Sequence, residues 1–222
     1  RFSTIQDEQA LLSKAFSDHV LDATDTFVHQ ITNEQDLAGL PEDALAAAKQ
    51  TAESKKLDGW AFTLHFPSYF PVMQFCDNRS LRKQLYQAYI TRASELGAEY
   101  GNGKSEWDNT QNMLLQLRLK DEEAKMLGFA NYAALSLAPK MAKTVAEVDQ
   151  FLEDFAKRAK SHGQKDWDDL QQFAKEHLKL DKLEPWDMAY ASEKLKQARY
   201  SFSENELKQY FPLPKVLEDR KS

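Results

Sequence analysis

The sequence predicts a mainly α-helical protein, a multi-helix domain with one small two-stranded β element. Its 222 residues include only seven glycines and seven prolines, which favours long helices over many short strands. Apolar residues recur at helical spacing through most of the chain. One segment, "DGWAFTLHFPSYFPVMQF" (58–75), instead alternates aromatic with smaller residues, as a strand does. With 42% hydrophobic residues, the chain can bury a core.

Charge and cysteine content exclude several classes of function. The net charge is −6, from 29 basic and 35 acidic residues that are well mixed, which argues against a nucleic-acid partner. No apolar run approaches the roughly 18 residues of a membrane span, and nothing at the start resembles a signal peptide. The single cysteine, Cys76, permits no disulfide within the chain. We therefore expect a cytoplasmic location and no membrane partner.

The first elements can be placed in chain order. Residues 2–22 carry apolar positions at helical spacing, and residues 26–31 are rich in β-branched and aromatic residues that favour a strand. Thr32 and Gln35 fit the capping box of a one-turn helix that stops at Gly39. The next helix is expected to begin at Pro41, since proline is tolerated in the first helical turn, and to end at Asp58-Gly59.

The alternating segment is expected to form the second strand, over residues 60–66. Its pairing partner is the strand at 26–31, in an antiparallel ribbon that must lie on helices, because two strands alone are marginal in water. Pro67 and Pro71 are expected to turn the chain from strand into helix. The larger side chains are predicted to share the buried face, and they are Trp60, Phe62, Leu64 and Phe66.

The remaining chain reads as helices separated by short loops. Side-chain caps are predicted at Asn78 and Asn131, and capping boxes at Thr144–Glu147 and Ser203–Glu206. Gly163 is expected to break the long helical stretch that follows Thr144. No repeat of fixed period is present.

The residues alone indicate no active site. No two of the five histidines have the i, i+4 spacing of a helical zinc site, and no H-E-x-x-H occurs. His29 and His65 lie on the two predicted strands and could face each other, but ordinary histidines outnumber such ligand pairs. Cys76 stands among apolar residues, which favours a core position over a catalytic thiol. The histidines are His19, His29, His65, His162 and His177.

The stretch 81–94, "LRKQLYQAYITRAS", has two interpretations. Its Tyr86, Tyr89 and Arg82 could line a groove. On a helix such side chains more often pack at a domain edge with their polar tips in water.

Four stretches resemble one family over about residues 1–218, in the same order. They resemble the thimet oligopeptidase family of zinc metallopeptidases, and they are "LDATDTFVHQITNEQDLAGLPEDALAAAK", "TLHFPSYFPVMQFCDNRSLRKQLYQAYITRAS", "EWDNTQNMLLQLRLKDEEAKMLGFANYAALSLAPKMA" and "PWDMAYASEKLKQARYSFSENELKQYFPLPKVL". The resemblance implies a mostly helical enzyme with a narrow channel that admits short peptides. It also implies one zinc ion, held by H-E-x-x-H and a downstream glutamate, that activates water.

No catalytic, cofactor-binding or metal-binding residue of the family can be assigned to this chain, because the zinc motif is missing. Residues 1–222 are therefore expected to be a helical scaffold that includes part of the channel wall. Zinc, short peptides and the catalytic region would belong to the intact enzyme, and this chain alone is expected to be inactive. The alternative is a stand-alone helical module that binds peptides or a protein without catalysis.

We expect the chain to be a fragment, because it begins at Arg1 rather than Met and ends in "EDRKS" where the family continues into another helix. Side chains that would pack against the catalytic region should then be exposed, with possible self-association. The candidates are Tyr190, Tyr200, Phe202, Tyr210 and Phe211.

Overall fold

The computed structural model describes residues 1–201 and 210–212, and within them the fold is mainly α-helical, as predicted. Short 3-10 turns lie at Glu34–Leu37, Ser105–Trp107 and Pro185–Asp187. The helices and strands are α1 (Phe2–Thr26), β1 (His29–Ile31), α2 (Glu42–Ser54), β2 (Trp60–Phe62), α3 (Phe66–Phe75), α4 (Arg79–Ile90), α5 (Gly97–Tyr100), α6 (Thr110–Met126), α7 (Tyr132–Leu137), α8 (Val145–His177) and α9 (Met188–Tyr200).

The chain divides into two compact units, each made from two separate stretches. The first unit comprises residues 1–27 and 87–166. The second comprises 28–86 and the described part of 167–222. Among the described residues, no helix has both the length and the apolar composition that crossing a membrane requires.

In the first unit, α1 lies along α6. Asn109, just before α6, is buried, and its amide donates to the carbonyl of Phe16 at 3.2 Å while its Oδ1 lies 2.9 Å from Nδ1 of His19. At the other end of the pair, the Arg1 guanidinium donates to both carboxylate oxygens of Glu122, at 2.7 and 2.8 Å. Polar side chains therefore fix the register of the two helices at both ends.

In the second unit, β1 and β2 form the predicted antiparallel ribbon. His29 pairs with Phe62 and Ile31 with Trp60. Gly59 precedes β2 with φ of +78°, and a Cβ atom there would lie 2.3 Å from the carbonyl oxygen of Ile31. This close approach explains why the turn into β2 needs glycine.

The second strand is shorter than predicted. It ends at Phe62, because the Thr63 amide donates to the hydroxyl of Ser68 at 3.0 Å rather than to the ribbon. Phe66 already belongs to α3 and is 59% exposed, so the prediction that it shares a buried face was wrong. Leu64 is buried, but so is Ala61 on the other face of β2.

Three predicted boundaries also need correction. The first 3-10 turn is capped by Asn33, whose Oδ1 accepts from the amide of Gln35, and not by Thr32. Helix α2 ends at Ser54, before Asp58. Gly163 does not break α8, which continues for 33 residues, because one exposed glycine costs a helix only about 1 kcal/mol.

The other predicted helix starts agree with the structure where it is described. Asn78 accepts from the amide of Leu81, and Asn131 accepts from that of Ala134. The Thr144–Glu147 capping box is complete, with both reciprocal hydrogen bonds formed. The Ser203–Glu206 box lies outside the described residues.

The last part of α8 and helix α9 share a compact core. This cluster anchors α9 in the second unit. Its buried members are Leu170, Ala174, Leu183 and Ala191, surrounded by Trp167, Leu178, Leu180, Met188 and Leu195.

Candidate functional site

A cluster of charged side chains joins the start of α4 to the start of α9. We call it the Arg82–Asp187 cluster, and its members are Asp77, Arg79, Arg82, Asp187, Tyr190 and Lys194. All six lie in the second unit.

Local sequence places the two arginines on one side of α4. Asn78 caps the helix, and Arg79 and Arg82 are three residues apart, so they lie on neighbouring turns of one face. Asp187 ends the 3-10 turn before α9, where its carboxylate accepts from the backbone amide of Glu184 at 3.0 Å in a capping box. This local hydrogen bond orients the carboxylate toward the arginines.

Asp187 is completely buried, and its carboxylate receives both arginines. Nη2 of Arg82 donates to one carboxylate oxygen at 2.8 Å, and Nη2 of Arg79 donates to the other at 2.6 Å. Arg82 is only 1% exposed, whereas the side chain of Arg79 is 43% exposed. Burial alone would raise the pKa of Asp187, but hydrogen bonds from Arg79, the Glu184 backbone and Arg82 outweigh it and lower the pKa below its ordinary value.

The Arg82 guanidinium is shielded from solvent and donates its hydrogen bonds within the protein. It also donates to the carbonyl oxygens of Cys76 at 2.6 Å and Trp186 at 3.1 Å. Its planar group lies 4.0 Å from the ring centroid of Tyr190, a cation–π distance. Arg82 thus ties the end of α3 to the turn before α9.

Asp77 completes the cluster at its more exposed edge. Its Oδ1 accepts from the Tyr190 hydroxyl at 2.8 Å and lies 3.2 Å from Nζ of Lys194. Burial, together with the hydrogen bond to Asp77, raises the pKa of Tyr190 to about 12. Tyr190 is half-buried and hydrogen-bonded to Asp77, so the prediction that it is an uncovered interface residue was wrong.

The chemistry of the Arg82–Asp187 cluster is structural. Across the described residues, no buried side-chain nitrogen or oxygen is left without a hydrogen-bond partner. An ionised carboxylate that is already saturated by two arginines offers no free base, and the guanidinium that faces it offers no free acid.

The predicted groove residues of 81–94 are packed against other side chains. Arg82 is buried in the cluster, and Tyr86 meets Trp186 edge to face, with ring centroids 6.1 Å apart. Tyr89 lies 3.7 Å below the guanidinium of Arg92. Tyr86 and Tyr89 are half-buried, in agreement with the packing interpretation, whereas Arg82 differs from it because its polar tip is buried rather than in water.

The ribbon does not bring His29 and His65 face to face. His29 pairs with Phe62, while His65 lies at the N-cap of α3 and is exposed. Burial lowers the pKa of His29, which favours its neutral form. Within residues 1–201 and 210–212, no three His, Cys, Asp or Glu side chains are grouped so that they could hold a metal ion.

Cys76 is a core residue, as predicted. It is fully buried, and its thiol lies 3.5 Å from the carbonyl oxygen of Asp36. Burial raises the pKa of this thiol, so the nucleophilic thiolate is disfavoured.

Aromatic side chains near the end of the described chain are exposed. Tyr200, Tyr210 and Phe211 are all more than half exposed, in agreement with the sequence-based expectation. Phe202 lies outside the described residues.

A shallow groove of about 390 Å³ lies between the last part of α8 and α9. Phe173 and His177 stack along one wall at 4.8 Å, and a 2.9 Å ion pair between Arg199 and Asp169 lies at the groove. The groove is wide open to solvent, and polar and apolar atoms line it about equally.

The described residues form a mainly helical fold in which buried charges hold helices in place. The chain belongs to peptidase family M3, whose family model matches residues 72–219. It is 48% identical to oligopeptidase A of Escherichia coli K12 and 46% identical to that of Haemophilus influenzae, each over 98% of this chain. A probable cytosolic oligopeptidase A of Arabidopsis thaliana is 40% identical, again over 98% of the chain.

This membership confirms the family resemblance that the sequence carries. The chain spans only 31% of the length of each of these relatives. The match therefore concerns one part of a longer type of protein.

Proposed function

We propose that this chain is the non-catalytic scaffold part of a zinc metallo-oligopeptidase that hydrolyses short peptides in its intact form. One observation carries the proposal. The chain aligns over 98% of its length with proteins named oligopeptidase A, yet it covers only 31% of them. Its sequence therefore matches one part of such a protein and leaves most of that protein's length unmatched.

The catalytic chemistry would reside in the part of the protein that this chain lacks. The family resemblance implies a zinc-binding H-E-x-x-H helix, and these 222 residues contain no such motif. Zinc in the intact protein would activate a water molecule for attack on the peptide bond. The residues of this chain would form part of the wall of the substrate channel and would hold the neighbouring helices in position.

The Arg82–Asp187 cluster supports the proposal that the chain serves as a rigid support. It fixes α3 and α4 to α9 through residues more than 100 positions apart in sequence. A buried and fully paired cluster of this kind resists small displacements of the helices. Such rigidity suits a wall against which catalytic helices must be held to within fractions of an ångström.

The partners and location follow from the same proposal. The partner of this chain would be the catalytic region of its own protein, and the substrates of the intact enzyme would be short peptides. The exposed Tyr200, Tyr210 and Phe211 are candidates for contact with that region. We infer a cytoplasmic location, supported by the single buried cysteine and by a relative named as cytosolic, although another Arabidopsis relative is named as organellar.

The test compares the 222-residue chain with the product of the full gene. Metal analysis and cleavage of an internally quenched fluorogenic peptide are measured on both proteins. We expect neither stoichiometric zinc nor cleavage for the 222-residue chain. For the full gene product we expect one zinc and cleavage that a chelator abolishes and added zinc restores.

Two results would contradict the proposal. Zinc-dependent cleavage by the 222-residue chain alone would show that it is catalytic, and one tightly bound zinc per chain would show that it holds a metal site of its own. A full gene product without H-E-x-x-H would favour the stand-alone binding module instead.

A further inference from the structure

Helix α8 is held at its two ends but not in between. The capping box of Thr144 and Glu147 fixes its start, and Leu170 and Ala174 bury its last turns in a core cluster. Every residue from 149 to 166 is exposed, which amounts to about five turns of helix. Because most helical stability in proteins comes from packing against other elements, this span depends on its own local preferences.

The weakest local preference for helix in this span lies at residues 161–163. Ser161, His162 and Gly163 follow one another, and all three are poorer helix formers than the alanine, arginine, lysine and glutamine residues that flank them. Glycine is the poorest of the three, because its backbone loses the most conformational freedom in a helix. Sharp bends in helices occur at such Gly and Ser positions. The sequence therefore marks one place in α8 where opening is easiest.

No close contact requires a glycine at position 163. Gly163 has helical backbone geometry, and a Cβ atom there would meet no other part of the described chain within 4 Å. An alanine would therefore fit and would strengthen the helix. The steric reason that explains the glycine at position 59 does not apply to Gly163.

The position of Gly163 along α8 suits a hinge. Trp167, one turn later, is the first side chain after the exposed span that packs against the core cluster. On the other side of Gly163, Nζ of Lys157 lies 4.0 Å from a carboxylate oxygen of Glu153 and 3.9 Å from one of Asp154. Such pairs between successive turns support the helix locally. Gly163 thus separates a segment with its own side-chain pairs from a segment that is packed.

Opening of α8 at this point removes no apolar side chain from a core. Residues 160–166 are all exposed, so water can replace the backbone hydrogen bonds that are broken there. Opening in the last turns would instead expose Leu170 and Ala174, which lose their burial only at a further cost in free energy. Local opening near Gly163 is therefore favoured over opening near the end of the helix.

We propose that α8 contains a hinge at residues 161–163, where the helix opens and closes while its two ends stay folded. Opening breaks the hydrogen bonds from the amides of residues 164–167 to the carbonyl groups four residues earlier. The first part of α8 then changes direction relative to the last part. The hinge is a conformational property of the folded chain and does not depend on the function proposed above.

Hydrogen exchange on the folded 222-residue chain tests the hinge directly. The amides of residues 164–167 should exchange faster than those of residues 153–160 and of residues 170–177. Gly163→Ala should slow the exchange at 164–167 about fivefold, because alanine favours the helical form by about that factor. Uniform exchange from 153 to 167, or exchange at 164–167 that the alanine leaves unchanged, would overturn the proposal.

The matched control moves the glycine along the same helix. Ala156 is exposed and lies about two turns before Gly163. The variant Ala156→Gly/Gly163→Ala keeps the amino-acid composition of the wild type, and circular dichroism checks that its helix content is retained. The fastest exchange should move to residues 157–160. If it stays at 164–167 in this variant, Gly163 is not the hinge.

Limited digestion with trypsin gives an independent measurement. Lys160 and Lys165 lie on either side of the hinge, whereas Lys175 lies beside the buried Ala174 in the packed part of α8. Cleavage after Lys160 and Lys165 should precede cleavage after Lys175, because a protease acts on the transiently opened form. Gly163→Ala should slow the two earlier cleavages about fivefold and leave the third unchanged. Equal rates at the three sites in the wild-type chain would contradict the hinge.

Discussion

Replacing Asp187 with asparagine should be among the most damaging single changes in this chain, although it leaves shape and volume almost unaltered. The substitution removes the negative charge and leaves the guanidinium of Arg82 buried at 1% exposure. Removing one partner of a buried ion pair typically costs about 3–5 kcal/mol, because the remaining charge is uncompensated. Arg79 contributes little to this cost, because its exposed side chain can return to water.

The cost can be separated into its parts by a double-mutant cycle. Arg82→Met alone should destabilise by a similar amount, since Asp187 would keep only Arg79 and the Glu184 amide. The double variant Arg82→Met/Asp187→Asn should lose less than the sum of the two single losses, because it leaves no buried charge unpaired. Arg79→Met should cost less than Arg82→Met, because the Arg79 side chain is 43% exposed, but it should still destabilise, since it removes a 2.6 Å hydrogen bond to the buried carboxylate.

Urea unfolding followed by tryptophan fluorescence provides the assay, with Trp186 beside the cluster as a local probe. The difference between wild type and Asp187→Asn should also depend on pH. Because the pKa of Asp187 lies below its ordinary 3.8 in the folded chain, its stabilising contribution is present above pH 3.8 and is lost as the pH falls through the lower folded-state value. A loss under 1 kcal/mol for Asp187→Asn at pH 7, or exact additivity in the cycle, would refute the reasoning.

Three further predictions follow from individual side chains. Tyr190, with its pKa raised to about 12, should ionise late in an absorbance titration. Its contribution to the free energy of unfolding is complete below pH 10 and is lost between pH 10 and 12, and this pH dependence should disappear in Tyr190→Phe. Cys76 should react with a disulfide reagent only as fast as the chain unfolds, and rapid labelling of the folded chain would contradict its burial. Thr144→Ala should cost about 0.5–2 kcal/mol and speed hydrogen exchange in the first turn of α8, whereas Thr144→Ser should not.

Features that depend on neighbouring residues were predictable from the sequence. The caps at Asn78, Asn131 and Thr144 involve partners only three residues away, and all three are confirmed. The antiparallel pairing of the two strands was also predicted, because residues 60–66 alternate large and small side chains within an otherwise helical chain. The mainly α-helical fold class follows from the same local patterns.

Features decided by tertiary contacts were not predictable in the same way. The end of β2 depends on one hydrogen bond from Thr63 to Ser68, which competes with strand pairing and carries no signal in the alternation. Gly163 was predicted to break α8, but glycine weakens a helix only slightly and the long flanking stretches outweigh it. Likewise, Tyr190 was predicted to lie at an open interface. Its hydrogen bond to Asp77, more than 100 residues away, cannot be predicted from the local sequence pattern.

The Arg82–Asp187 cluster illustrates why strongly perturbed charges do not by themselves identify an active site. Asp187 combines complete burial, a lowered pKa and two arginine partners, which are features that catalytic carboxylates also show. A catalytic group, however, must keep one coordination direction open for substrate or water, and every direction around Asp187 is taken by Arg79, Arg82 or the Glu184 amide. The same saturation that removes chemistry from this carboxylate makes it an effective anchor for α9. This anchoring supports the scaffold role that we propose for the chain, because the paired charges hold α3, α4 and α9 in fixed positions.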